Sequence, residues 1–301
     1  MSSDTARFAV VGSPVAHSLS PVLHRTAYAE LGIDHAAYDR FDVPAGELAG
    51  FLAAGPGREL AGLSVTMPGK PEAFALAAET DETSRALGIA NTLIRRTDGR
   101  WRAENHDVHG IVASLRDHGA HRPVTGGVLG SGATAASAVA ALLELGTEEI
   151  VLSARSPHKL APLEELSSRA GVRTRRVPWE SSRELLTADV LISALAAEGA
   201  QALAADWGTV TDRSVPSQFL DVLYDPWPAP LAALVAARGG EVADGLEMLA
   251  HQAGQQVRSM LGVPSAPVRE MLAAARSELA GRGRGPTPSR HPDPLSRSVK
   301  R

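Results

Sequence analysis

The sequence predicts an α/β fold divided into two domains. In the first hundred residues, short apolar runs alternate with stretches of helical periodicity, the pattern of strands alternating with helices. A second series of the same kind begins near residue 108, and its first apolar run leads through a glycine-rich turn into a long alanine-rich stretch. At 301 residues the chain is long enough for two domains of ordinary size.

The first domain is predicted to contain five strands and three helices. Ser20 followed by Pro21 favours a helix start, because proline suits the first helical position, and Gly32 ends that helix. Asp98-Gly99 between two short apolar runs is typical of a hairpin turn. The predicted strands are 7–12, 35–42, 60–66, 91–95 and 101–103, and the predicted helices are 20–31, 44–54 and 71–80.

The second domain is predicted to be a βαβ series of the Rossmann kind. After it, residues 244–261 carry one apolar stripe at helical spacing, and a further helix is expected over 267–279. The predicted strands are 125–129, 149–153, 172–177, 190–193 and 219–222. The predicted helices are 108–118, 157–170 and a long alanine-rich helix that the glycine-rich turn opens and that ends at Leu145. We therefore divide the chain into 1–107, 108–243, 244–280 and 281–301, the last being a basic, disordered tail.

Composition excludes several classes of function. The formal charge of −4 gives no reason to expect nucleic acid, although residues 281–301 carry +5 and the rest of the chain −9. The absence of cysteine excludes disulfides and thiolate metal sites. No apolar run approaches the ~20 residues of a membrane span, and the first residues do not resemble a signal peptide. We expect a cytoplasmic protein without membrane or nucleic-acid partners.

The turn Gly130-Ser-Gly-Ala-Thr-Ala135 fits the G-x-G-x-x-A pattern of dinucleotide-binding proteins. It follows a predicted strand and opens a predicted helix, where glycines let the backbone approach a pyrophosphate and the helix N-terminus supplies N–H donors. The alternative is a glycine-rich turn without a ligand.

The end of the next strand distinguishes NAD from NADP. Proteins that bind NAD place an acidic residue there for the ribose 2′-hydroxyl, whereas this chain has Ser153-Ala-Arg-Ser156. The planar guanidinium of Arg155 suits a 2′-phosphate, so NADP is preferred. The alternative is an ordinary surface arginine.

Two hydroxyls and a lysine lie together in Ala61-Gly-Leu-Ser-Val-Thr-Met-Pro-Gly-Lys70. Ser64 and Thr66 are two residues apart and point to one face of a strand, and Lys70 follows a Pro-Gly turn. This arrangement suits a small polyhydroxylated ligand to which a proton is moved. The alternative is an edge strand with a solvated lysine.

A cluster of charged and titratable side chains lies at the predicted domain junction, at Glu104, His106, Asp107 and His109. Their spacing matches no familiar zinc pattern, so we expect no metal site. Small-molecule clefts form at such junctions, and Asp107 would there pair with Lys70 and share in proton transfer. Asp107 as a simple helix cap is the other interpretation, and the two are compatible.

Together these segments resemble the shikimate dehydrogenase family over residues 8 to about 262. Residues 62–70 resemble the G-x-N-V-T-x-P-x-K signature, and residues 245–253 resemble G-x-x-M-L-x-x-Q-A. The other segments that carry the resemblance are 12–24, 86–92, 104–110, 130–135 with 154–156, and 221–230.

The resemblance implies an N-terminal substrate-binding domain, an NADP-binding Rossmann domain, C-terminal helices that return to the first domain, and reversible NADP-dependent reduction of 3-dehydroshikimate to shikimate. It implies a monomer or homodimer. Lys70 and Asp107 would be catalytic. The implied substrate ligands are Ser18, Ser20, Ser64, Thr66, Asn91, Tyr224 and Gln252. The implied cofactor contacts are Gly130, Ser131, Gly132, Ala133, Ala135, Ala154, Arg155, Ser156 and Gly245.

Three departures from the family pattern affect the expected site. Ser64 stands where an asparagine is common, Ala229 where a threonine precedes proline, and His106 where a threonine precedes Asp107. A bulkier, titratable His106 is expected to alter the pocket or perturb the neighbouring carboxylate. The alternatives are therefore a quinate or aminoshikimate dehydrogenase, or a non-catalytic nucleotide-binding regulator.

Overall fold

The computed structural model describes residues 5–209 and 214–282, which form two six-stranded sheets with flanking helices. This architecture confirms the predicted α/β class. None of the described helices is long and apolar enough to span a bilayer.

The first sheet is mixed and has the strand order β2-β1-β3-β5-β6-β4. β1 pairs in parallel with β2 and β3, whereas β5 pairs antiparallel with both β3 and β6. Its strands are β1 (Ala6–Gly12), β2 (Ala36–Asp42), β3 (Leu60–Val65), β4 (Glu79–Thr80), β5 (Thr92–Arg95) and β6 (Trp101–Glu104). The helices of this domain are α1 (Ser20–Glu30), α2 (Leu48–Ala53), α3 (Lys70–Leu76) and α4 (Glu82–Leu87).

The second sheet is parallel throughout, with the order β12-β11-β10-β7-β8-β9 of a doubly wound dinucleotide-binding domain. Its strands are β7 (Thr125–Leu129), β8 (Glu149–Ser153), β9 (Arg173–Arg176), β10 (Val190–Ser193), β11 (Gln218–Asp221) and β12 (Glu241–Asp244). Its helices are α5 (Asp107–Asp117), α6 (Ala133–Leu145), α7 (Ala161–Arg169), α8 (Ala197–Gly208) and α9 (Pro230–Ala237).

Two C-terminal helices, α10 (Gly245–Leu261) and α11 (Val268–Arg282), follow the second sheet and pack on the first domain. Leu246, Val257 and Met271 lie in one buried cluster with Phe8 of β1 and Leu23 of α1. The apolar stripe predicted for 244–261 therefore closes the core of the first domain, and α10 connects the two domains.

Glycines in β7 allow α6 to pack closely on the second sheet. A Cβ atom on Gly126 would lie 2.6 Å from Leu142 of α6, and one on Gly127 would lie 2.8 Å from Leu191 of β10. Gly126 thus leaves room for Leu142 near the end of α6, and Gly127 leaves room for Leu191 of the neighbouring strand.

The boundaries of several predicted elements differ from those observed. The helix predicted over 71–80 ends at Leu76, and β4 and α4 follow; Asp81 begins α4 by accepting a hydrogen bond from the Ser84 amide at 2.7 Å. The helix predicted over 44–54 begins only at Leu48, and 157–160 form a 3₁₀ turn before α7. The sequence patterns predict no element at α8, α9, β12 or the 3₁₀ segment Trp179–Thr187.

The predicted start of the disordered tail is also wrong at its first two residues, since α11 continues to Arg282. The Arg282 guanidinium donates to the carbonyl oxygen of His17 at 2.9 Å and pairs with Glu278 one turn earlier, which holds the helix end in place. The rest of the predicted tail, 283–301, lies outside the described residues.

A buried carboxylate at the end of β11 is incompletely paired. Asp221 is fully buried, and its Oδ1 accepts a hydrogen bond from the Leu223 amide at 3.1 Å, but Oδ2 has no partner among the described residues. Burial raises the pKa of Asp221 to about 7, and the Leu223 amide opposes this rise.

Ala229, the N-cap residue of α9, makes no side-chain cap hydrogen bond.

We expect Asp221→Asn to stabilise the protein at pH 8 but not at pH 4. The folded-state pKa lies above the ordinary value, so the folded protein retains a proton that the unfolded chain loses, and stability falls as pH rises from about 4 to about 7. Removing this titration should raise the free energy of unfolding at pH 8 by about 2–4 kcal/mol. Urea unfolding at both pH values measures this, and an equal difference at both would contradict it.

Candidate active site

A cavity of about 280 Å³ lies between the first sheet, α10 and the N-terminus of α6. Polar side chains from both domains line it, among apolar walls that include Val10 and Met248. All nine residues predicted for catalysis and substrate binding meet there: Ser18, Ser20, Ser64, Thr66, Lys70, Asn91, Asp107, Tyr224 and Gln252.

The turn after β3 places Thr66 and Lys70 at the cavity. The Gly69 amide donates to the Thr66 carbonyl at 2.9 Å, and Lys70 is the first residue of α3. Gly12 at the end of β1 lets the next loop pack against this turn, because a Cβ atom there would lie 2.7 Å from the Met67 carbonyl oxygen. The Ser13 amide donates to that same oxygen at 3.0 Å.

Lys70 and Asp107 form a sequestered ion pair. Lys70 Nζ lies 2.5 Å from Asp107 Oδ2, and their side chains are 12% and 2% exposed. Asp107 is the first residue of α5, where the helix dipole favours a carboxylate. The N-cap residue of α5 is His106, so the interpretation of Asp107 as a helix cap is wrong. The Asp107 side chain pairs with Lys70 instead.

Asn91 holds the other oxygen of Asp107. Asn91 Oδ1 accepts a hydrogen bond from the backbone N–H of His106 at 3.0 Å. Because that N–H can only donate, this bond fixes the orientation of the Asn91 amide. Its Nδ2 therefore donates to Asp107 Oδ1 at 2.9 Å and to Gln252 Oε1 at 3.3 Å. Gln252 consequently has its oxygen engaged, and its NH₂ group is the part left for a ligand.

Ser64 lies in the cavity wall with its hydroxyl already hydrogen-bonded on two sides. Tyr38 OH lies 2.5 Å away, and Gln256 Oε1 lies 2.8 Å away. The sequence analysis missed Tyr38 and Gln256. Gln256 follows Gln252 by four residues on one helix, so the i, i+4 spacing was a signal available in the sequence.

The serine loop, residues 17–20, carries Ser18 before α1 and Ser20 as the first residue of α1, and the two hydroxyl oxygens are 3.3 Å apart. Tyr224 approaches from the second domain just after β11, and burial raises the pKa of its phenol. Arg282 anchors the serine loop through the carbonyl of His17, so α11 contributes to the position of this wall.

His106 does not contribute its side chain to the cavity lining. Its imidazole lies 2.9 Å from Glu104 Oε2, and Glu104 also pairs with Arg102 at 2.7 Å. The expectation that His106 reshapes the pocket is therefore wrong, because Glu104 holds the ring away from it. No group of three or more His, Asp or Glu side chains in the described ranges could hold a metal ion.

The glycine-rich turn lies at the N-terminus of α6. Gly130 has φ of +119°, and a Cβ atom there would lie 2.7 Å from the Ala194 carbonyl oxygen. A Cβ atom on Gly132 would meet nothing within 4 Å, so open space lies beside the turn. Ser131 belongs to this turn and Ala133 begins α6, whereas Ala135 is buried in the core, where its small side chain lets the helix approach the sheet.

The strand end after β8 carries an unpaired cation. Arg155 is exposed, and within the described part of the chain no carboxylate forms an ion pair with it. A cavity of about 350 Å³ lies beside it, lined also by Ala154, Arg176 and Trp179. Arg176 forms an ion pair with Glu164. Ser156 precedes the 3₁₀ turn and is not part of this lining.

Gly245, the first residue of α10, lines the main cavity. A Cβ atom there would lie 2.1 Å from the Val222 carbonyl oxygen, so only glycine allows α10 to start so close to the end of β11. Asp244 caps α10 by accepting from the Glu247 amide at 2.7 Å.

Comparison with known proteins agrees with this geometry. The family model described as the shikimate dehydrogenase substrate binding domain matches residues 10–93. The curated shikimate dehydrogenase (NADP(+)) of Synechococcus sp. (strain JA-3-3Ab) is 31% identical over 287 residues, covering 93% of this chain and 96% of that protein.

Two solved structures are similar over most of the chain. The shikimate dehydrogenase of Mycobacterium tuberculosis is 40% identical with a TM-score of 0.80, covering 90% of this chain and 99% of that one. The shikimate 5-dehydrogenase of Thermus thermophilus, solved in complex with NADP(H) and shikimate, is 29% identical with a TM-score of 0.71, covering 90% and 99%. The segment matches, the two-domain fold and these full-length relatives agree: the chain belongs to the shikimate dehydrogenase family.

Proposed function

We propose that this chain catalyses the reversible, NADPH-dependent reduction of 3-dehydroshikimate to shikimate. The observation that carries the proposal is the Lys70–Asp107 pair, 2.5 Å apart, in a polar cavity that faces the N-terminus of α6. Full-length relatives named shikimate dehydrogenase (NADP(+)) and a relative solved with NADP(H) and shikimate support the same activity.

The second domain has the features that NADP requires. Open space beside Gly132 and the N–H groups of the first turn of α6 suit a pyrophosphate, and unpaired Arg155 suits a 2′-phosphate. Gly245 places the start of α10 at the main cavity without a side chain in the way. When bound there, NADPH supplies the hydride for the carbonyl carbon of the substrate.

Lys70 is the proton donor in this proposal. The carbonyl oxygen of 3-dehydroshikimate needs a proton as it becomes a hydroxyl, and in the opposite direction the ammonium is regenerated by taking that proton. Asp107 orients Nζ and balances its charge at 2.5 Å. Asn91 holds Asp107 through Oδ1, so Oδ2 stays directed at the lysine.

The remaining polar groups of the cavity would bind the substrate. Tyr224 comes from the second domain and the serine loop from the first, so a ligand between them contacts both. Thr66 and the Gln252 NH₂ group, which also line the cavity, would meet ring hydroxyls. The proposed substrate contacts are Ser18, Ser20, Ser64, Thr66, Asn91, Tyr224 and Gln252.

The alternative substrates lose their main support. A quinate or aminoshikimate preference was inferred from His106, whose imidazole contacts Glu104 and does not line the cavity. A non-catalytic regulator would not need the buried Lys70–Asp107 pair. A monomeric or homodimeric state and a cytoplasmic location stay predictions.

We expect Lys70→Ala to lower kcat for NADP-dependent shikimate oxidation at least ~100-fold, because the transferred proton loses its donor and acceptor. NADPH binding, followed by its fluorescence, should be unchanged because Lys70 lies at the substrate side of the site. The wild-type protein is assayed in parallel with shikimate, quinate and an aminoshikimate.

Unchanged kcat in Lys70→Ala would remove the lysine from the mechanism. A wild-type protein that oxidises quinate or the amino compound more efficiently than shikimate would overturn the substrate assignment, and no turnover of any of the three would favour the regulator.

We expect Arg155→Gln to raise KM for NADPH about tenfold while leaving kcat/KM with NADH unchanged, because only NADPH carries the 2′-phosphate. Arg183→Gln is the matched control, since Arg183 is also exposed but does not line the cavity beside Arg155. Equal losses with both cofactors, or in both variants, would show that Arg155 does not read the phosphate.

A further inference from the structure

A buried glutamine in the cavity wall, Gln256, is absent from the predicted site. Gln256 is 3% exposed, and its amide contacts side chains from three elements of the first domain. Nε2 lies 3.1 Å from the Asn91 carbonyl oxygen and 3.0 Å from Thr92 Oγ1. Oε1 lies 2.8 Å from Ser64 Oγ and 3.4 Å from His24 Nε2.

The orientation of this amide is determined by its surroundings. The Asn91 carbonyl oxygen can only accept, so the Gln256 atom facing it must be the NH₂ group. Oε1 then faces Ser64 and can only accept, so the Ser64 hydroxyl donates to Gln256. With its proton engaged, Ser64 accepts from Tyr38 OH at 2.5 Å.

The same reasoning leads from Gln256 to the catalytic pair. Gln256 Nε2 donates to Thr92 Oγ1, which leaves the Thr92 hydroxyl proton for Asn91 Oδ1 at 2.8 Å. Asn91 in turn donates to Asp107 Oδ1, and Asp107 Oδ2 contacts Lys70. Each bond in this path has its donor and acceptor fixed by its neighbours, so the path has a single direction.

His24 completes the environment of Gln256 from α1. Its ring stacks on Tyr38 with centroids 3.9 Å apart, and burial lowers its pKa to about 3 while the hydrogen bond to Gln256 opposes this. A neutral ring that donates from Nε2 adds no charge behind the cavity. The network is therefore polar and, apart from the Lys70–Asp107 pair, uncharged.

We propose that Gln256 is a positioning residue for the reaction. It holds Asn91 and, through Asn91, the Lys70–Asp107 pair. It also takes the Ser64 hydroxyl proton, so that Ser64 can only accept a hydrogen bond from a substrate hydroxyl. The proposal rests on the proposed function. In this arrangement α10 supplies the amide, and the Ser64 hydroxyl that donates to it presents an acceptor to the cavity.

The test compares Gln256→Met with Gln255→Met in steady-state shikimate oxidation across pH. Methionine keeps the length of the side chain but makes no hydrogen bond, whereas Gln255 contacts His109 and Arg258 away from the cavity. We expect Gln256→Met to lower kcat about five- to hundredfold, as for a lost buried hydrogen-bond partner, and to displace the pH dependence of kcat. KM for NADPH and the behaviour of Gln255→Met should match wild type.

Thr92→Val tests the same path with an isosteric change, in case Gln256→Met does not fold. It should displace the pH profile in the same direction, and the double variant should lose less than the product of the two single losses.

Wild-type kcat and an unmoved pH profile in both variants would overturn the proposal, as would multiplicative losses in the double variant. A merely structural role would lower the melting temperature without moving the profile. An inactive wild-type protein would contradict the proposed function. Variants whose kcat and pH profile equal those of an active wild type would contradict only this inference.

Discussion

A buried ion pair is the constraint on which the site depends. Removing lysine and aspartate from water costs several kcal/mol per charge, and the cost is recovered only when geometry is good and the remaining hydrogen-bonding capacity is satisfied. In this protein Asp107 uses one oxygen for Lys70 and the other for Asn91, and the dipole of α5 favours its charge. Both oxygens of the buried carboxylate therefore have a hydrogen-bond partner.

The fold places this pair where the two domains meet. Lys70 begins α3 in the first domain, and Asp107 begins α5, the first helix packed on the second sheet. α10 starts at the end of β12 and runs back across the first domain, bringing Gln252 and Gln256 to the same wall. The residues proposed for substrate contact and proton transfer are therefore positioned by the N-termini of α3 and α5 and by the long helix α10.

Much of this arrangement was predictable, because it depends on local signals. The glycine-rich turn, the Pro-Gly turn before Lys70 and the stripe on α10 each have a short-range pattern. The sequence could not show where His106 points, since that depends on Glu104 and Arg102 across β6. Gln256 was missed for a different reason: its role follows from partners 164 to 232 residues away in the sequence. The short strand β4 and the capped helix α4 after it were not predicted, and β4 fell within the helix predicted over 71–80. Propensity alone does not identify a two-residue strand.

The most direct test of the account is kcat for NADP-dependent shikimate oxidation by Asp107→Asn, measured beside its melting temperature and NADPH affinity. Asparagine keeps the shape of the side chain and removes the charge that orients and balances Lys70. The account predicts a fall in kcat of at least ~100-fold, with the protein folded and NADPH binding unchanged. A variant with kcat within about twofold of wild type would contradict the claim that the Lys70–Asp107 pair performs the proton transfer.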